Sequence, residues 1–107
     1  MIDQKNIMRF VKAVERKKNF VPYADKVFRH MVSEIGELDN RIYKWEKRSL
    51  KKDDWKLRRA IGFECIDVIF LACYMADIFK VNLNSITKKR MKDIARQYNV
   101  KGVDFDE

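Results

Sequence analysis

The run AIGFECIDVIFLACYMADIF, residues 60–79, carries only three charged side chains, Glu64, Asp67 and Asp77. Its apolar residues fall on every face of a helix, the pattern of a helix surrounded by others rather than lying on a surface. This stretch predicts a central helix reaching about Lys80, the third of four. Residues 47–54 ahead of it are a polar connector, and Asp53 or Asp54 can cap the helix by accepting from its free first-turn amides.

Helical periodicity continues on both sides. Ile7, Phe10, Val11 and Val14 are spaced 3, 1 and 3, one face of a first helix over about 3–18 whose polar face is basic. Asn19-Phe20-Val21-Pro22 is a break and restart, since proline lacks an amide hydrogen and fits the first turn of a helix. The second helix is expected from Pro22 to about Lys47, with Val27, Met31, Ile35, Leu38 and Ile42 as its apolar stripe. Val81-Asn82-Leu83-Asn84 is a short link, Asn84 or Ser85 caps a fourth helix running to about Tyr98, and residues 100–107 form an acidic, mobile tail.

Composition fits one all-α domain over residues 1–107. The chain is 47% hydrophobic and 37% charged with three Gly and one Pro, which disfavours many tight turns and excludes collagen-like, disulfide-scaffold and low-complexity classes. Its longest charge-free run, Val68 to Ala76, falls far short of the roughly 20 residues that span a bilayer. No signal-peptide apolar core opens the sequence, so a soluble, cytoplasmic protein is expected. Cys65 and Cys73, eight residues apart on one helix, sit about 12 Å from each other and stay reduced. Lys and Arg number 24 against 16 Asp and Glu, a net charge of +8 that suits a polyanionic partner, either nucleic acid or a nucleotide.

Glu64 and Asp67 require compensation, because an ionised carboxylate in an apolar helix loses hydration worth several kcal/mol, about the effective penalty per buried ion. Their i, i+3 spacing puts them about 60° apart around the axis, on one face. Glu34 and Glu37 repeat the spacing on the second helix. If the second and third helices pack antiparallel, four carboxylates converge with no obvious buried base, and divalent cations relieve their repulsion. Oxygen-only ligands suit Mg²⁺, or Mn²⁺, shared with substrate phosphates. The plainer readings are a solvated, salt-bridged face for Glu34 and Glu37, and a buried ion pair with Arg58 or Arg59 for Glu64 or Asp67. A di-iron bundle wants Glu-x-x-His from two helices, and His30 is the single histidine.

Around these acids the chain resembles the MazG-like all-α nucleoside triphosphate pyrophosphohydrolases, whose signature is Glu-Glu-x-x-Glu followed tens of residues later by Glu-x-x-Asp. Here the segments read Val32-Ser33-Glu34-Ile35-Gly36-Glu37-Leu38 and Phe63-Glu64-Cys65-Ile66-Asp67-Val68. Tyr43-Lys44-Trp45, Val81-Asn82-Leu83, Arg90-Met91 and Tyr98 are similar to elements of the small dCTP pyrophosphatase-type branch. Ser33 stands where the first Glu of the doublet would be, Arg90 where a Lys is usual, and Ile94 where an Asn is usual. The resemblance implies a MazG-like four-helix bundle that pairs into a homodimer or a dimer of dimers. It also implies Mg²⁺-dependent hydrolysis of a nucleoside or deoxynucleoside triphosphate to the monophosphate and pyrophosphate. Glu34, Glu37, Glu64 and Asp67 would then hold the metal, and Glu37 would be the general base.

Further candidates for substrate contact are Trp45, which can stack on a base, and Arg90 and Arg96 for phosphate, chosen from the cluster Lys88, Lys89, Arg90, Lys92 and Arg96. His30, one turn before Glu34, is placed to orient a water or a phosphate. Each has a plainer reading as core, interface or solvated surface. Met8, Met31, Met75 and Met91 read as packing. Two rivals to the hydrolase remain open: a non-enzymatic basic helical module binding nucleic acid, and a MazG-like relative without turnover.

Overall fold

The computed structural model describes residues 3–19, 23–48 and 55–102, and among them it contains four α-helices and no strand. The helices are α1 (Gln4–Lys18), α2 (Ala24–Arg48), α3 (Trp55–Ile78) and α4 (Leu83–Gln97). The expected restart at Pro22, the cap at Asp53 or Asp54 and the last residues of the acidic tail, 103–107, lie outside the described residues. No helix among them is long and apolar enough to cross a membrane.

Local chemistry explains where the helices begin and end. Asp3 caps α1 by accepting from the Lys5 amide at 2.9 Å, and Arg16, Lys17 and Lys18 place positive charge at its carbonyl end. The fourth helix starts earlier than the sequence suggested. Asn82, not Asn84 or Ser85, is its cap, because the Asn82 side chain accepts from the Ser85 amide. Helix α3 closes with Lys80 in the left-handed region at φ 58° and the Val81 amide donating back to Ala76, and α4 closes alike through Asn99 and Val100. Both closures do what a glycine does in other chains.

Helix α3 is the centre, as its uniform apolarity predicts: α2 packs along it extensively and α1 lies against another side. The core is small. Ile7, Met8, Val27, Cys73 and Tyr74 are buried, with Val11, Ile69, Phe70, Leu71, Met75, Ile78 and Leu83 packed around them. On α2 the expected stripe divides. Val27 is buried and Met31 and Leu38 half-buried, whereas Ile35 and Ile42 are exposed. The inward register next to Leu38 is taken by Glu34 and Arg41.

Helix α4 makes only sparse contacts with the rest and buries none of its residues; Ile86, Met91 and Ile94 are all exposed. Met91, expected to pack, is exposed among the described residues. Gln4 ties the helix at its root, accepting from the Leu83 amide at 2.8 Å and donating to the Val81 carbonyl at 3.1 Å. The Cα radius of gyration is 17.1 Å, against about 13 Å for a compact chain of this length.

Candidate metal centre

Helical spacing places Glu34, Glu37 and Arg41 on one side of α2, and that side meets Glu64 on α3. Oxygens from the carboxylates of Glu34, Glu37 and Glu64 lie within 4.8 Å of one another. At this range like charges repel and favour either a proton or a cation between them. Glu64 is buried, with 7% of its side chain exposed, and Glu34 nearly so, while Glu37 is exposed.

Arg41 Nε donates to Glu64 Oε1 at 3.1 Å, and His30 Nε2 lies 3.2 Å from Glu34 Oε1. The second oxygens differ. Oε2 of Glu34 and Oε2 of Glu64 are buried and accept no hydrogen bond from the described residues. With no cation between them, the two acids satisfy each other only if one keeps its proton. Glu34 is the one that keeps it: the hydrogen bond to Glu64, burial, and the charges of Glu37, Asp67 and Glu64 push it from 4.5 up to about 7. Glu64 moves the other way, held down by the hydrogen bond from Glu34 and by Arg41, against the opposing effect of burial.

Three carboxylates with two buried, unmatched oxygens fit a hard divalent cation, which takes oxygen ligands and tolerates an open position for water or phosphate. Asp67 is close enough for its charge to act on Glu34, yet its carboxylate is not among the three that meet. The expected set of four is thus a triad with Asp67 alongside.

The site does have a base beside it: Arg41, its side chain 39% exposed, is the partner of Glu64. Neither Arg58 nor Arg59, the bases weighed as partners for the buried acids, has this role: Arg58 lies over the Trp55 ring at 5.7 Å and Arg59 over Phe63 at 5.1 Å. Arg41 carried a signal in the sequence, standing four residues after Glu37 and seven after Glu34, hence on their face of the helix. Replacing Arg41 with Met is expected to lower the metal-free melting temperature by several degrees, because Glu64 then stays buried without its countercharge. Divalent cation should recover most of that loss, which a thermal melt with and without MgCl₂ measures.

Beside the acids a cleft of about 420 Å³ opens between α1, α2 and α3, with Glu34, Asp67 and His30 along it and Phe10, Val14 and Phe70 among its apolar walls. Trp45 is half-buried on α2 and does not line this cleft. Arg90 and Arg96 stand exposed on α4, also away from it. Of the four expected substrate contacts, the fold brings only His30 to the acids.

No family model, curated protein or solved structure matches this chain. A functional reading therefore rests on the residues of the site and on the likeness of their two spaced acid pairs to the MazG-like signature.

Proposed function

We propose that the chain is a Mg²⁺-dependent nucleoside triphosphate pyrophosphohydrolase of MazG-like type. The observation that carries the reading is the pair of unmatched buried oxygens on Glu34 and Glu64, set in an acid triad of which Glu34 lines a mainly apolar cleft. Glu34, Glu37 and Glu64 would hold the ion, with Asp67 beside them. Bound there, Mg²⁺ supplies charge neutralisation for phosphoryl oxygens and a more acidic water. Mn²⁺ meets the same donor set.

The protein's own groups have separable tasks. Glu37, the exposed acid of the three, accepts a proton from the attacking water as the bond between the α and β phosphates breaks. Arg41 fixes the orientation of the Glu64 carboxylate, as outer partners of ligating groups do. His30 orients Glu34. None of the exposed cations of α4 lines the cleft.

Pairing of chains into a homodimer, or a dimer of dimers, belongs to the same proposal. It is supported by the extended shape and by the exposed apolar residues of α4 and of the outer flank of α2, Phe28, Val32 and Ile35. Those same cations on an exposed helix favour a second reading, a module that binds nucleic acid through its phosphates.

A panel of NTPs and dNTPs with Mg²⁺, scored for pyrophosphate against orthophosphate, tests the proposal. Pyrophosphate release that stops on chelation is expected, with Glu37→Gln lowering kcat by about 100-fold or more as a lost general base does. Asp67→Asn should have the smaller effect, since Asp67 stands outside the triad. Orthophosphate alone, or full activity in both variants, would defeat the mechanism. Binding to DNA or RNA that falls steeply with salt and ignores chelation would favour the rival.

A further inference from the structure

A second concavity shares no residue with the cleft. It is an open groove of about 790 Å³ between the first half of α1 and the turn from α3 to α4, and Lys5, Arg9, Lys12 and Lys80 line it. Two acids also line it, and both are engaged. The Asp3 carboxylate accepts from the Lys5 amide and from the Asn6 side chain, and Asp77 pairs with Lys12 at 3.6 Å. Lys5, Arg9 and Lys80 are exposed and form no ion pair among the described residues, Arg9 donating to Asn6 Oδ1 at 3.5 Å.

The charge follows from the spacing along α1. Lys5, Arg9, Lys12 and Arg16 succeed one another at steps of four, three and four, so they share a stripe about 60° wide and about 16 Å long. Lys5 with Arg9, and Lys12 with Arg16, are like-charged at i, i+4, a spacing that weakens a helix. Arg16 carries the stripe beyond the groove, which it does not line. Gln4, bonded to the Leu83 amide and the Val81 carbonyl, holds α1 against the start of α4 and so fixes the groove. Cations that repel one another along a fixed groove gain from an anion outside the chain.

A row of charge longer than its cavity suits a chain of phosphates rather than one small anion. Other polyanions fit less well. Ile7 and Met8 are buried and Val11 packs on the core, so α1 has no free apolar face to lay into a bilayer. An acidic protein segment docks through apolar or aromatic anchors, and the apolar side chains here are Met8, which is buried, and Val81. Among the described residues no aromatic side chain lines the groove, so unpaired bases find nothing to stack on. The outward phosphates of a duplex remain. We propose that the groove and the α1 stripe bind the backbone of double-stranded nucleic acid without regard to sequence. The site is separate from the acid triad and from the cations of α4, and rests neither on the hydrolase reading nor on its rival.

Fluorescence anisotropy of two labelled duplexes of unrelated sequence, titrated in EDTA from about 50 to 200 mM NaCl, tests this. Both should bind alike, with log K falling against log salt at a slope of about −3.5, the value for the four cations not paired to Asp77. Arg9→Gln with Lys80→Gln should flatten that slope by about 2 and weaken binding about 10-fold or more at the lowest salt. The same double variant should melt no lower than the wild type, since it relieves like charges, and should keep the wild type's rate of pyrophosphate release. Lys88→Gln with Lys92→Gln on α4 should keep the wild-type slope. No duplex binding, an unchanged slope in the Arg9→Gln, Lys80→Gln variant, or loss of binding in the α4 variant alone would overturn the assignment. So would polyglutamate or phosphatidylserine vesicles that compete as well as duplex at equal charge. Duplex binding at the groove without pyrophosphate release overturns the hydrolase alone, and pyrophosphate release without duplex binding overturns the groove alone.

Discussion

Glu64→Gln is expected to lose the rise in melting temperature that Mg²⁺ gives the wild type and to lose more than about 100-fold in pyrophosphate-releasing activity. Partners that merely orient a metal ligand are worth about 10–100-fold, and removing a ligand should exceed that. The metal-free variant should melt no lower than the wild type. Its amide oxygen can still accept from Arg41, which donates to Glu64 Oε1 at 3.1 Å, and its amide nitrogen can donate to Glu34 as a shared proton otherwise would. A carboxylate kept for stability behaves in the opposite way, because its loss leaves a buried partner uncompensated. Stability held or gained together with activity lost is the signature of residues kept for function. A persistent Mg²⁺ shift in the variant, or a large drop in its metal-free melting temperature, would remove Glu64 from the centre.

The sequence made the scaffold legible because its strongest signals are properties of single helices. An apolar residue on every face of residues 60–79 requires neighbours all round, and α1 and α2 do pack on α3. The i, i+3 acid pairs are likewise a one-helix property, so their presence on facing sides followed from spacing. What depended on the register between helices did not follow. Whether Glu64 or Asp67 meets the α2 acids is set by the packing of α2 on α3, and the same packing brings Arg41 to Glu64. Hydrophobicity alone put Ile35 and Ile42 in the core. The fold turns them outward because Glu34 and Arg41 occupy the interface register, a local conflict of the kind that marks functional sites.

Without divalent cation, stability is expected to fall as pH rises from about 5 to about 8, and Mg²⁺ is expected to abolish most of that fall. Glu34 sits at about 7 in the folded chain against 4.5 for a free glutamate. Between those values the folded chain holds a proton that the unfolded chain has released, so raising the pH favours unfolding. The stabilisation is complete below about 4.5 and is lost as pH passes through about 7. Glu64, held low, contributes in the other direction and loses its part only in acid, so the metal-free optimum should lie near pH 5. The groups facing Glu34 are His30 and Glu37 on its own helix and Glu64 and Asp67 on α3, and only the cation relieves the acids together. Proton and metal then compete for the same oxygens. Apparent Mg²⁺ affinity should strengthen by up to about tenfold per pH unit below 7 and level off above it, since one proton is displaced for each ion bound. Thermal melts across this range, in EDTA and in MgCl₂, measure both effects, and Glu34→Gln should flatten the metal-free profile. A metal-free chain that grows more stable from pH 5 to 8, or a Mg²⁺ affinity indifferent to pH, would show that Glu34 carries no proton for the ion to displace.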